Sequence, residues 1–362
     1  MTTLKLPEPI MTLALDHYRL LGRSGLRVSP LALGTMSFGV AQAWGTAEAE
    51  ARNIVDAYAG RGGNHLDTAN FYAGGESERL VGRIVAGRRA RFVIATKYSL
   101  TTAPGDPNAS GNHRKSMVQA VEGSLRRLDT DFIDLLYLHM WGGVTPVEEI
   151  LRAFDDLVRT GKILYAGLSD TPAWQASRMQ AIAEVRGWTR FAALQVPYNL
   201  TERTVERELL PMAREMGMGV LPWSPLAGGV LSGKYRAQDL GTVVDRSKLD
   251  SRKDINLATG RLSERNLAIA AAVVDVAQQM NRSPSQVALA WTLLHAAVTS
   301  PILGVRTLAQ LQDNLDALAL SFSPEQRQRL DTVSRIEPGF PHSLLESPAM
   351  GPMFGNIRLD RA

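Results

Sequence analysis

The sequence predicts an α/β chain, a (β/α)8 TIM barrel with its active site at the C-terminal ends of the strands. Two observations lead there, and a third excludes the main alternative. Strand-like and helix-like segments alternate along the 362 residues, in eight successive pairs. The strand segments are near-continuous apolar runs, as expected of parallel strands covered by helices. An open doubly wound sheet would carry a glycine-rich phosphate turn after its first strand. No Gly-x-Gly-x-x-Gly follows Leu33 or any later strand segment, which leaves the closed barrel.

Leu31-Ala32-Leu33-Gly34 reads as a short buried strand, with Thr46 as N-cap of a helix reaching about Ala59. The second strand ends at Asp67, and its helix carries Leu80, Val81, Ile84 and Val85 on one stripe. The third, Phe92-Val93-Ile94-Ala95-Thr96-Lys97, leads to a helix over 114–128. The fourth, Phe132-Ile133-Asp134-Leu135-Leu136-Tyr137-Leu138-His139, leads to a helix that opens with Thr145 as cap and Pro146 at the first helical position. Ile150, Leu151, Phe154, Leu157 and Val158 form its apolar face. Residues 163–169 precede a helix from Pro172, and residues 191–196 precede one over 206–216. The strand at 219–223 leads through a long polar stretch to a helix over 264–280, then an additional helix over 284–295. Residues 301–305 and 308–318 complete the eighth pair. A barrel domain is therefore expected over 18–335, between an N-terminal tail (1–17) and a C-terminal tail (336–362) that borders the pocket. Residues 98–113 and 227–262 are rich in Gly, Pro, Asp, Asn and Ser. Long insertions after barrel strands usually border the active site, so both read as pocket walls.

Composition narrows the function classes. Hydrophobic residues make up 45% and charged residues 21%, an ordinary globular balance. The net charge of +4 comes from 40 basic and 36 acidic residues with the signs interspersed. The longest basic cluster, Arg88-Arg89 with Arg91, is too short for a nucleic-acid footprint. The absence of cysteine removes disulfides, thiolate nucleophiles and Cys-ligated zinc, and no metal site is expected. Residues 1–16 make a poor secretory signal, and no stretch approaches 18 uncharged apolar residues. A cytoplasmic protein without membrane or nucleic-acid partners is the expectation, with its oligomeric state open.

Four polar residues, Asp67, Tyr72, Lys97 and His139, fall where three successive strands run out of hydrophobic residues. If the strands are parallel neighbours, these side chains converge on one face. A phenol with a pKa near 10 needs help to exchange protons near neutrality, and an adjacent ammonium such as Lys97 lowers that pKa. Asp67 would hold Lys97 charged, and a neutral His139 would orient a carbonyl oxygen. Each residue alone has an ordinary structural explanation; all four together do not.

With these strand contexts, and with Tyr18-Arg19-Leu20-Leu21-Gly22-Arg23-Ser24-Gly25-Leu26-Arg27-Val28-Ser29 and Leu33-Gly34-Thr35-Met36 at the start, the chain resembles the aldo-keto reductases over about residues 18 to 320. The resemblance implies a (β/α)8 barrel, an Asp67, Tyr72, Lys97 and His139 tetrad, and NADPH as hydride source. It also places Gly34, Thr35, Met36 and Asp67 near the nicotinamide, with Ser169 and Gln195 on its carboxamide and Trp223 against its ring. Ser224, Pro225, Leu226 and Gly228 then match the pyrophosphate loop, with Lys234 as a phosphate partner. Gly304, Arg306, Gln310, Asp313 and Asn314 match the adenosine end, where Arg306 would grip the 2′-phosphate and favour NADP over NAD. Two positions depart from the family pattern. Asp170 stands where similar enzymes commonly have Asn, and an ionised carboxylate cannot donate a hydrogen bond; Asp313 is shorter than the Glu often found there.

Carbonyl reduction is the function these readings imply, acting on a small aldehyde or ketone. Phe38, Trp44, Phe71 and Trp141 are expected to line an apolar pocket. Two competitors carry other predictions: an NADPH-binding regulatory subunit of the same fold with little turnover, and a Schiff-base aldolase with Lys97 as nucleophile. A P-loop fails, because Gly228 to Lys234 is followed by Tyr235 where a Ser or Thr would hold magnesium.

Overall fold

The computed structural model describes residues 13–39, 45–241, 251–345, 347, 355 and 357. Eight parallel strands form a nearly closed barrel: β3 (Ala32–Gly34), β4 (His65–Asp67), β5 (Val93–Tyr98), β6 (Ile133–Leu138), β7 (Ile163–Ser169), β8 (Phe191–Pro197), β9 (Gly219–Trp223) and β10 (Ile302–Gly304). They pair in chain order, and β10 returns to pair with β3. Between β9 and β10 the ring is closed by the residues just before β10, where Thr299 N–H and Ser300 N–H both donate to Val220 O.

Each connection carries helix. In chain order these are α1 (Glu48–Gly60), α2 (Glu76–Val85), α3 (Arg114–Leu128), α4 (Val147–Arg159), α5 (Ala173–Arg186) and α6 (Leu209–Met216). The β9–β10 connection holds α7 (Arg252–Ala258), α8 (Glu264–Met280) and α9 (Pro284–Thr292). After β10 come α10 (Leu308–Leu315), α11 (Pro324–Val333) and α12 (His342–Leu345). The expected stripes are the buried faces: Leu80, Val81, Ile84 and Val85 on α2, and Ile150, Leu151, Phe154 and Leu157 on α4, all belong to the main core.

Side chains alternate along each strand, because the pleat has period two. On β5, Val93 and Ala95 sit in the inner cluster, whereas Ile94 and Tyr98 join the outer core under the helices. On β6, Leu135 and Tyr137 face in while Leu136 and Leu138 face out. The same alternation carries Asp67, Lys97 and His139 inward at the strand ends.

An antiparallel hairpin, β1 (Arg19–Leu20) and β2 (Arg27–Val28), is absent from the sequence reading. Its Leu21 and Val28 are wholly buried in the barrel's inner cluster beside Val93, Leu135 and Leu221, so the hairpin plugs the N-terminal end. Packing begins earlier than the expected tail, since Leu15 is buried and Leu13 N–H donates to Leu318 O. Residues 1–12 lie outside the described residues. In the C-terminal stretch, Arg207 Nε donates to Glu337 O at 3.0 Å and His342 pairs with Glu208. Those bonds tie it to the β8–α6 connection, on the rim that holds the strand C-termini.

Some local expectations shift. Thr46 is not the cap of α1; Ala47 is, and Thr46 bridges Phe38 while its hydroxyl reaches Arg306 O. Pro146 is itself the N-cap of α4, so Thr145 lies one residue too early and makes no capping bond. The helix placed over 284–295 stops at Thr292. Helix α7 lies in the stretch read as merely polar, and Ser251 and Asp254 open it with a reciprocal capping box.

Candidate active site

Lys97 is the centre of the strand-end cluster. Its ammonium is fully buried and donates to Asp67 Oδ1 at 2.5 Å, to Thr68 O at 2.8 Å and to Tyr72 Oη at 3.3 Å. An ammonium has three protons, so all are matched. The chain after β4 keeps beside β5 through Thr68 N–H to Ala95 O and Asn70 N–H to Lys97 O, then turns into a short 3-10 stretch at Tyr72–Gly75. That turn lays the Tyr72 ring over Lys97, with Nζ 4.9 Å from the ring centroid. His139 meets Tyr72 edge-on, centroids 6.0 Å apart at 81°. Four residues distant in sequence thus form one cluster.

The electrostatics refine the expectation. Burial pushes the Lys97 pKa down, but Asp67 and Tyr72 outweigh it and the net shift is upward. Burial also raises the Tyr72 phenol, and Lys97 opposes that without reversing it. The net direction for Tyr72 is up, contrary to the lowering expected from Lys97 alone. Burial, reinforced by Lys97, pushes His139 down to about 3. The imidazole is therefore neutral at physiological pH.

Asp67 has a second partner. Gln195, read as a carboxamide ligand, donates Nε2–H to Asp67 Oδ2 at 2.8 Å, so both carboxylate oxygens are engaged. Its amide oxygen is the group left for another donor. Ser169 sits beside Gln195 in the β7–β8 register. Trp223 ends β9 and donates its indole N–H to Asp170 Oδ1 at 3.1 Å. The Arg261 guanidinium lies over the Trp223 ring, 5.5 Å from its centroid, and the partly buried indole packs against the inner cluster. Gly34 pairs with Asp67 in the sheet. Thr35 is wholly buried, its hydroxyl bonded to Asp67 O and Ser77 Oγ, while Met36 is exposed. Of the expected pocket lining, Phe38 is fully buried in the core, Phe71 is exposed, and Trp141 packs partly buried. Trp44 lies outside the described residues. Met140, absent from that expectation, is exposed beside His139.

The loop after β9 is bent by left-handed residues. Ser224, Ala227, Gly228, Gly229 and Gly233 all have positive φ, and Asn199 Nδ2 holds Ser224 O. Pro225 and Leu226 lie within this bend. A Cβ at Gly228 would fall 2.3 Å from Asn256 Oδ1, and one at Gly229 would meet Lys234 Nζ at 3.0 Å. Lys234 is pushed down by burial and by Arg306 and Arg252, and Arg252 by burial and by Arg261 and Arg306. Among the described residues neither Lys234 nor Arg306 pairs with a carboxylate. A cradle of glycine backbone with mutually repelling cations suits an anion such as a phosphate, so the residues present fit a phosphorylated dinucleotide.

Arg252 is the functional candidate the sequence reading missed. The S-x-x-D pattern at Ser251 is its one signal in the sequence, and its closeness in charge to Lys234 and Arg306 leaves none there. At the other end, Gly304 and Gln310 are exposed, and Gln310 Oε1 accepts from Arg306 N–H. Asp313 points elsewhere: its carboxylate takes Ser283 Oγ at 2.8 Å and Gln286 Nε2 at 2.9 Å from the start of α9. Asn314 is buried in packing.

Residues 30–335 match the model of the Aldo/keto reductase family. The chain is 38% identical to a norsolorinic acid reductase of Aspergillus flavus over 94% of this chain and 87% of the relative. It is 37% identical to an aldo-keto reductase of Emericella nidulans, covering 93% and 86%. It is 34% identical to an aryl-alcohol dehydrogenase of Pestalotiopsis microspora, covering 97% and 91%.

Proposed function

The chain belongs to the aldo/keto reductase family, and from that membership we propose that it reduces an aryl aldehyde or ketone to the alcohol, using NADPH. A bound NADPH supplies the hydride. Tyr72 gives its proton to the carbonyl oxygen. Burial raises the phenol and keeps it protonated, and Lys97, which opposes that rise, supplies the positive charge that lets the proton leave as the carbonyl oxygen gains charge. Lys97 lies against both the ring and the hydroxyl of Tyr72 and stabilises the phenolate left behind. Asp67 holds Lys97 charged, and Gln195 holds Asp67. His139, neutral, orients the carbonyl oxygen through a ring N–H and does not compete as proton donor.

The observation that carries this reading is the chain of contacts Gln195–Asp67–Lys97–Tyr72 with a neutral imidazole at its end. Lys97 is a poor Schiff-base nucleophile here, since its protons are all bonded and its pKa is raised. Trp223, Ser169 and the free oxygen of Gln195 would hold the nicotinamide, the β9 loop and Lys234 the pyrophosphate, and Arg306 with Gln310 the adenosine end. The aryl preference draws on the exposed Phe71, Met36 and Met140 around the site and on the relatives' names.

NADPH oxidation across aryl aldehydes and ketones, with NADH in parallel, tests the proposal. Tyr72→Phe should bind NADPH as the wild type does and lose turnover by roughly 100-fold or more. A regulatory subunit would show tight cofactor binding without turnover on any carbonyl in the panel.

A further inference from the structure

We propose that Asp170 is a positioning and tuning residue, whose carboxylate, pinned by the Trp223 indole, favours oxidised NADP⁺ over NADPH in the site. The inference rests on the functional reading above and adds an electrostatic role to it.

Asp170 follows the last residue of β7 and adopts φ of 41°, in the left-handed region that Asp tolerates better than most side chains. Its backbone is held on both sides: its N–H donates to Gln195 O at 3.4 Å and its carbonyl accepts from Trp141 N–H at 3.3 Å. The side chain is aimed by the Trp223 indole at 3.1 Å. Asp170 is thus fixed to the residue proposed to face the nicotinamide and to the strand end that carries Gln195.

Its charge is unmatched at short range. Among the described residues no cation pairs with Asp170, whereas the other acid of the site, Asp67, is matched by Lys97. Lys97 acts on Asp170 from beyond contact distance, and its protons are already committed. Burial raises the Asp170 pKa, with Trp223 and Lys97 opposing. A half-buried carboxylate at this place favours a neighbouring group that carries positive charge over the same group neutral. The nicotinamide ring is cationic in NADP⁺ and neutral in NADPH. Asp170 would therefore stabilise the product of hydride donation more than its reactant. An asparagine would keep an acceptor for the indole and remove the charge.

The test is direct binding of NADP⁺ and of NADPH, separately, to the wild type, Asp170→Asn and Asp170→Ser, by titration calorimetry with tryptophan fluorescence as a second readout. Asp170→Asn is expected to weaken NADP⁺ about tenfold and leave NADPH within about twofold. For a two-electron couple that raises the potential of the bound cofactor by about 30 mV. Asp170→Ser should show the same selective loss. Equal losses for both cofactors, no change for either, or a selective loss in Asp170→Ser alone would overturn the inference, because shape and not charge would then be at work. A wild type that binds neither cofactor would instead overturn the functional reading on which it rests.

Discussion

Lys97 connects the acid, the phenol and the backbone of the site, so its removal should be felt in stability as well as chemistry. Lys97→Met leaves Asp67 buried with only Gln195 as partner. Breaking a buried ion pair from one side costs about 3–5 kcal/mol, and urea unfolding should show a loss of that order along with lost turnover. The double variant Asp67→Asn, Lys97→Met removes the stranded charge. It should recover most of the stability and none of the activity. Recovery of both would show that the pair is structural. Gln195→Leu leaves one Asp67 oxygen bare, at about 1–3 kcal/mol, and should lower turnover without abolishing it.

Among the elements, the β1–β2 hairpin does the least obvious work. Leu21 is fully buried beneath the strands, so Leu21→Ala should cost about 2–5 kcal/mol, read as a shift in the denaturant midpoint. Gly22 is tighter still: φ is +57°, and a Cβ would lie 2.4 Å from Gly217 O and 2.7 Å from Ala192 O. Gly22→Ala is expected to be at least as destabilising as the Leu21 truncation, and a neutral result in thermal unfolding would mean the plug is loose. The hairpin escaped the sequence reading because each strand is two residues long, too short for any periodicity. The long strands and helices α2, α3, α4 and α8 were legible because their apolar repeats span several turns or pleats. Helix starts slipped by a residue or two where Thr46 and Thr145 resemble caps but bond elsewhere or not at all.

Stability of the whole molecule should depend on pH chiefly through two fully or largely buried imidazoles, His65 and His139. Burial pushes His65 down to about 4 and His139 to about 3, against an ordinary value of 6.5. Between those limits the unfolded chain binds more protons than the folded one, so stability rises with pH. It is complete above about pH 6.5 and is lost as the pH falls toward 4. Each histidine contributes at most about 1.4 kcal/mol per pH unit. The urea midpoint should drop from pH 7 to pH 5, and His65→Gln should flatten part of that drop, since half-buried His295 is pushed down by burial as well. At this scale the division between chain and fold is clear. The sequence alone determined the eight strand–helix pairs and the placing of Asp67, Lys97 and His139 on inward positions at strand ends. Both follow from the pleat and the helix turn, which act over a few residues. Tertiary structure decided that Gln195, 128 residues away, bonds Asp67, and that Asp170 holds Trp223. It also turned Asp313 toward α9 and brought Arg252 to Lys234 and Arg306. Those meetings depend on the order and register in which the strands close into a ring, and no local pattern of residues encodes a distance across that ring.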